Sequence, residues 1–108
     1  MTVKALSEMK GFSEAVICEG EREIGGVYIG DLLSWVMGRA SSDDAWITIM
    51  SNINILAVAS LADTACIIVA EGVKLESEVI ETAKEKNINI IYSESGIYET
   101  AVCLSQTI

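Results

Sequence analysis

Two apolar runs stand out along the chain, Ala45–Met50 and Ala65–Ala70. Neither alternates with polar residues, which is the pattern of strands buried on both faces, as in the middle of a parallel sheet. Asn89–Tyr92 repeats it in shorter form, and Ala15–Cys18 reads as a further buried strand. Val27, Tyr28 and Ile29 form a short strand between the glycine pair 25–26 and Gly30. Between and after these runs the period lengthens towards that of a helix. Leu32, Leu33, Val36 and Met37 share one face of a helix that Asp31 opens as its N-terminal cap and Gly38 begins to end. Helices follow over 55–63 and 76–86, the second with acids at its start, lysines at its end and Asn87 as a left-handed cap. A last helix places Ile97, Ala101 and Leu104 on one side, and residues 2–10 allow one or two turns ended by Gly11. Strand–helix alternation from residue 45 onward implies parallel strands joined by right-handed crossovers. Residues 1–108 are read as a single α/β domain.

The helix over 55–63 differs from the others. Ile55, Leu56, Val58, Ala59, Leu61 and Ala62 cover nearly its whole circumference, and such a helix is buried on more than one side. A second subunit is one way to cover it, so Ile55, Leu56 and Ala59 are expected at a homodimer interface. Trp35, one step off the apolar face of its helix, is expected there or at a pocket rim.

Charge narrows the partners. Sixteen acidic residues oppose seven basic ones with no histidine, for a net charge of −9. An acidic chain repels phosphate backbones and anionic lipid, so neither nucleic acid nor a membrane surface is expected as partner. No apolar run approaches the ~20 residues of a membrane span and no secretory pattern opens the chain, so a cytoplasmic location is expected. Cys18, Cys66 and Cys103 fit no zinc spacing, and Cys66 reads as a small buried hydrophobe.

The absence of histidine removes serine–histidine catalysis and histidine-built zinc sites. The glycines at 25, 26 and 30 match neither the dinucleotide fingerprint nor a nucleotide-hydrolysing loop. No catalytic set, metal site or cofactor is therefore expected. In open parallel sheets ligands sit beyond the carboxyl ends of the strands. That rim would carry Asn52, Asn54 and Ser93, each with a capping role as the plainer alternative. With Gly25, Gly26 and Asp31 these make the candidate ligand-binding set.

The stretch Arg22-Glu23-Ile24-Gly25-Gly26-Val27-Tyr28-Ile29-Gly30-Asp31-Leu32-Leu33-Ser34 resembles the signature of the DRTGG domain family. The likeness continues through Trp46–Ile49, Asn54–Ala59 and the closing strand–helix pair. The naming motif is degenerate: Glu21 stands for the usual aspartate, Gly25 falls where the threonine does, and Val27 where the second glycine does. The resemblance implies a three-layer α/β/α fold with a mostly parallel sheet, similar to the N-terminal domains of HPr kinase and of Mur ligases. Domains of this kind occur attached to CBS domains and phosphotransacetylase, where they are regulatory or assembly-forming. The P-loop domain that gives HPr kinase its activity has no counterpart here. The expected function is a non-catalytic regulatory or ligand-sensing module of a metabolic system, acting as a homo-oligomer. The alternative is a protein-interaction adaptor without ligand, docking on a metabolic or redox enzyme. An enzyme working through carboxylates such as Asp31 ranks last.

Overall fold

The computed structural model describes residues 1–108. In chain order the elements are α1 (Val3–Ser7), β1 (Phe12–Val16), β2 (Gly26–Ile29), α2 (Leu33–Arg39), β3 (Asp44–Thr48), α3 (Asn54–Ala62), β4 (Cys66–Val69), α4 (Ser77–Glu85), β5 (Ile90–Ser93) and α5 (Ile97–Thr107). One five-stranded sheet runs in the order β1-β5-β4-β3-β2. β2, β3, β4 and β5 are parallel, and β1 closes the far edge antiparallel to β5.

Each step from β2 to β5 moves one strand in the same direction. Right-handed crossovers therefore put α2, α3 and α4 on one face, and α1 and α5 cover the other. Side chains sort accordingly by the two-residue period of a strand. Trp46, Ile67, Val69 and Ile90 join the core under α2–α4 with Val36, Ile55, Leu56 and Val79. Their neighbours Ala45, Ile47, Cys66, Ile68 and Ile91 join the core under α1 and α5 with Val3, Leu6 and Leu104. This is the expected three-layer α/β/α arrangement with a mostly parallel sheet. Trp46 is fully buried, and its indole N–H donates to the Gly30 carbonyl at 2.8 Å, so its polar end is satisfied inside the core.

Three local expectations change. The first strand spans Phe12–Val16 rather than Ala15–Cys18, and only Val16 is buried in it. It lies at a sheet edge, where Ser13 and Glu14 face water, and its register shifts between Glu14 and Val16. Asp31 does not cap α2. The capping position is Leu32, with no side-chain bond, because the Asp31 carboxylate is drawn across to β3. Asn54 does not cap α3 either: the Asn52 side-chain amide oxygen accepts from Asn54 N–H at 2.9 Å.

The apolar helix α3 finds its cover within the chain. Ile55, Leu56, Val58, Ala59 and Ala62 are buried against the sheet and the neighbouring α2, leaving Ala57, Ser60 and Leu61 in solvent. A helix flanked on one side and seated on a sheet buries a wide arc, so burial of Ile55, Leu56 and Ala59 requires no second subunit.

Candidate functional site

The sheet has two ends, and they are built differently. At the amino ends of the parallel strands the chain gathers the loops before β2, β3, β4 and β5. Arg22 is the hub. Its Nε and Nη2 both reach Asp43 Oδ1, at 3.0 and 2.9 Å. Nη2 also donates to the Asp63 carboxylate at 2.9 Å and to the Asp63 carbonyl at 2.7 Å. Asp43 and Asp63 both stand in the left-handed region, with φ of 70° and 59°, which short acidic side chains tolerate better than most residues. Burial works to lower the Arg22 pKa, yet the hydrogen bonds to Asp63 and Asp43 outweigh it and hold the guanidinium above its ordinary value. A hydrogen bond from the Ser42 hydroxyl, then Arg22, holds the Asp63 carboxyl below the usual carboxylate range.

Asn89 is the second clamp at this end. It is buried, and all four bonds of its amide are made. Its oxygen accepts from Cys18 N–H and Glu19 N–H at 2.8 and 2.9 Å, and its nitrogen donates to the Glu19 and Ala65 carbonyls at 3.0 Å. The loop that precedes the signature stretch is thus tied to β4 and β5. Gly25 N–H donates to the Asp43 carbonyl, and a side-chain carbon on Gly26 would fall 2.7 Å from Asp44 Oδ1. A side chain on Gly26 would crowd the Asp44 carboxylate, which accepts from Ser41 N–H.

Between the carboxyl-terminal ends of α3 and α4 these loops enclose a cleft of about 250 Å3. Its walls are polar: Arg22, Asp63, Ser60, Lys86, Asn87 and Asn89 contribute. Lys86 forms no ion pair with any carboxylate of the chain. The Thr64 hydroxyl, beside the cleft, is buried without a hydrogen-bond partner in the chain, an uncommon state for a buried polar atom. Two helix C-termini face this space, and their dipoles oppose an anion there except where a cation such as Lys86, at the end of α4, offsets them.

The carboxyl ends carry Asp31, Asn52, Asn54 and Ser93. Asp31 accepts from the Thr48 hydroxyl at 2.7 Å and from Ile49 N–H at 3.1 Å. Ser93 is buried and shares a 2.7 Å hydrogen bond with Thr100. At the start of α3, Asn54, Ile55 and Leu56 N–H are taken by Asn52 Oδ1, the Asn52 carbonyl and the Ile53 carbonyl. Few donors remain for an anion. Glu71 accepts from Ile97 N–H at the start of α5, at 3.4 Å.

The six residues expected to bind ligand therefore do not converge. Gly25 and Gly26 lie at the start of β2, beside Asp43 and Asp44, whereas Asp31, Asn52, Asn54 and Ser93 lie at the opposite end of the strands. The four-residue length of β2 separates them. Trp35 is exposed, stacked by Arg39 at 3.8 Å from its ring centroid. The residues not anticipated are Arg22, Asp43, Asp63, Lys86 and Asn89. Only Arg22 carried a signal beforehand, through its place in the signature stretch. No group of three or more acidic or cysteine side chains is arranged to hold a metal ion. Burial pushes the Cys66 thiol up to about 12, the mark of an inert core residue.

A parallel wound sheet extended by one antiparallel edge strand, layered between helices and with a polar cleft at its amino end, defines a three-layer α/β domain. The sequence model of the DRTGG domain matches residues 9–107, and the chain belongs to that family. Among solved structures, one similar to it holds the CBS and DRTGG domains of the regulatory region of Clostridium perfringens pyrophosphatase, complexed with the activator diadenosine tetraphosphate. The two share 21% identity with a TM-score of 0.71 over 95% of this chain. This chain spans 45% of that one, and at this identity the likeness is one of fold. No curated protein matches the chain. No helix is long and apolar enough to cross a membrane.

Proposed function

We propose that this protein is a non-catalytic, cytoplasmic regulatory module that senses a small polar metabolite and acts as a homo-oligomer. The observation that carries the reading is the polar cleft at the amino ends of the strands. It is framed by the signature arginine and offers an unpaired ammonium, Lys86. A ligand bridging the ends of α3 and α4 would couple to the Arg22 loop, which touches the loops before β3 and β4. Membership of the DRTGG family supports a regulatory role, and a regulatory region of similar fold is complexed with a dinucleotide. Nucleotides are accordingly the first probes, with nicotinamide cofactors and central metabolites beside them. The carboxyl rim around Asp31, Asn52 and Asn54 is the rival location for the same ligand, while Gly25 and Gly26 act as packing residues.

The test is a thermal-shift panel of those compounds on the intact chain. A ligand at about 100 times its Kd is expected to stabilise the fold by ~2.7 kcal/mol. A flat panel at millimolar concentrations, repeated by calorimetry, would remove the sensing role.

A further inference from the structure

In a chain of net charge −9, one surface is nearly free of charge. No charged residue occurs from Ala45 to Ala62, so α3 carries none, and α2 carries only Arg39. The neighbouring α4, in the same layer, bears Glu78, Glu81, Lys84 and Glu85. α2 and α3 pack side by side, and their solvent sides form one surface. Large apolar groups stand out on it: Leu32 is 57% exposed, Trp35 52% and Leu61 71%. Small residues lie among them, Gly38 and Ala57, and a side-chain carbon built on Gly38 would meet nothing within 4 Å.

We infer that the solvent side of the α2–α3 pair is the surface on which a second copy of this chain docks. Charge selects the occupant. Two copies of net −9 repel one another over most of their surfaces, and like charges brought face to face oppose association. Here each copy would present Arg39, already over the Trp35 ring, with Asp31 beside Leu32 as the one carboxylate at that end of the surface. A basic partner, by contrast, would be drawn to the acidic α4 rather than to this surface. Composition agrees with an interface centre, where charged residues are depleted and tryptophan, methionine and arginine are enriched. The surface also holds both knobs and hollows, so a twofold axis could seat Trp35 of each copy over small residues of the other. The inference rests on the homo-oligomeric part of the proposed function and assigns it a place. It replaces the expected contact through Ile55, Leu56 and Ala59, which are spent inside the chain.

Sedimentation velocity on the full chain at ~50 µM, a concentration that populates dimers of micromolar Kd, tests it. The wild type is expected to sediment as a dimer. Trp35→Glu and Leu61→Glu, both at exposed positions, are expected to weaken dimerisation at least tenfold, the scale of an interface hot spot. Circular dichroism should show both variants folded. Tyr98→Glu, equally exposed but on α5 across the sheet, should leave the dimer intact. Raising salt should strengthen the wild-type dimer, because screening relieves the net repulsion. A monomeric wild type would overturn the inference together with the homo-oligomeric reading, and would leave this surface to a different protein. A wild-type dimer unaffected by both glutamates would overturn the assigned surface alone. Ligand-induced stabilisation is read separately, so sensing stands or falls independently of either result.

Discussion

The amino and carboxyl ends of this sheet contrast in how their loops are secured. At the amino end, Arg22 and Asn89 each join segments far apart in sequence, and the loops they join enclose a cleft. At the carboxyl end the contacts are separate pairs with no shared hub, Asp31 with Thr48, Ser93 with Thr100 and Lys74 with Glu94. Ile29, Ile49 and Ile53 stay exposed there. The usual rule for open α/β sheets places ligands at the carboxyl ends. In this chain the donors at that end are consumed by turns and caps, and the concave, polar space lies at the other. The signature stretch runs between the two ends, from Arg22 at the cleft through β2 to Asp31 at the carboxyl rim.

Three experiments sharpen the contrast. The largest effect is expected at Asn89. Replacing it with alanine strands two N–H groups and two carbonyls that no nearby side chain can satisfy, at a cost of about 3 kcal/mol. Denaturant unfolding measures it, and a loss below ~1 kcal/mol, the scale of an ordinary single hydrogen bond, would show that the clamp is dispensable.

Arg22→Ala comes next, at ~1 kcal/mol, because its partners are largely exposed and screened. The pH dependence separates the ion pairs from mere packing. The Asp63 carboxyl is held below its ordinary value, so its contribution is complete above the unfolded-state pKa of about 3.9 and is lost as pH falls through the folded value. The stability gap between wild type and Arg22→Ala should stay level from pH 7 to about 5 and narrow below about 4. A gap unchanged down to about pH 2, well below ordinary carboxylate pKa values, would mean that the side chain acts through its stem.

The smallest effect concerns the cysteines. Cys18 is exposed and Cys103 half-buried, whereas Cys66 is buried with its thiol pushed up to about 12. A thiol reagent should label the first two in the native protein and reach Cys66 only on unfolding. Since that pKa is raised in the folded state, Cys66 also costs stability as pH climbs from about 8.5, where an unfolded thiol ionises, towards the folded value. Native labelling of Cys66 at the rate of Cys18 would show that the central strand β4 opens readily.

What the sequence disclosed follows from range. β3 and β4 were legible because Ala45–Ile47 and Cys66–Val69 are apolar at every position, which only a doubly covered strand tolerates. Asn87 was legible as a left-handed cap, and stands at φ 58°. The strand at 15–18 was misplaced because apolar content does not reveal that β1 lies at an edge. α3 suggested a partner because periodicity counts apolar positions without showing that α2 and the sheet together cover a wide arc. The candidate site was least legible. Asn89 reads only as the opening residue of a strand, because its partners lie 24 to 71 residues away. The cleft depends on Lys86, Asp63 and Arg22 arriving together from three loops, which spacing does not encode.

The central claim is that ligand is sensed at the amino-end cleft and not at the carboxyl rim. The most direct measurement takes the panel compound giving the largest thermal shift and titrates it against wild type, Lys86→Ala and Asn52→Ala. The account predicts that Lys86→Ala weakens binding at least tenfold while Asn52→Ala binds as wild type does, the former being the scale of a lost charge-assisted contact. Binding abolished by Asn52→Ala and untouched by Lys86→Ala would contradict it.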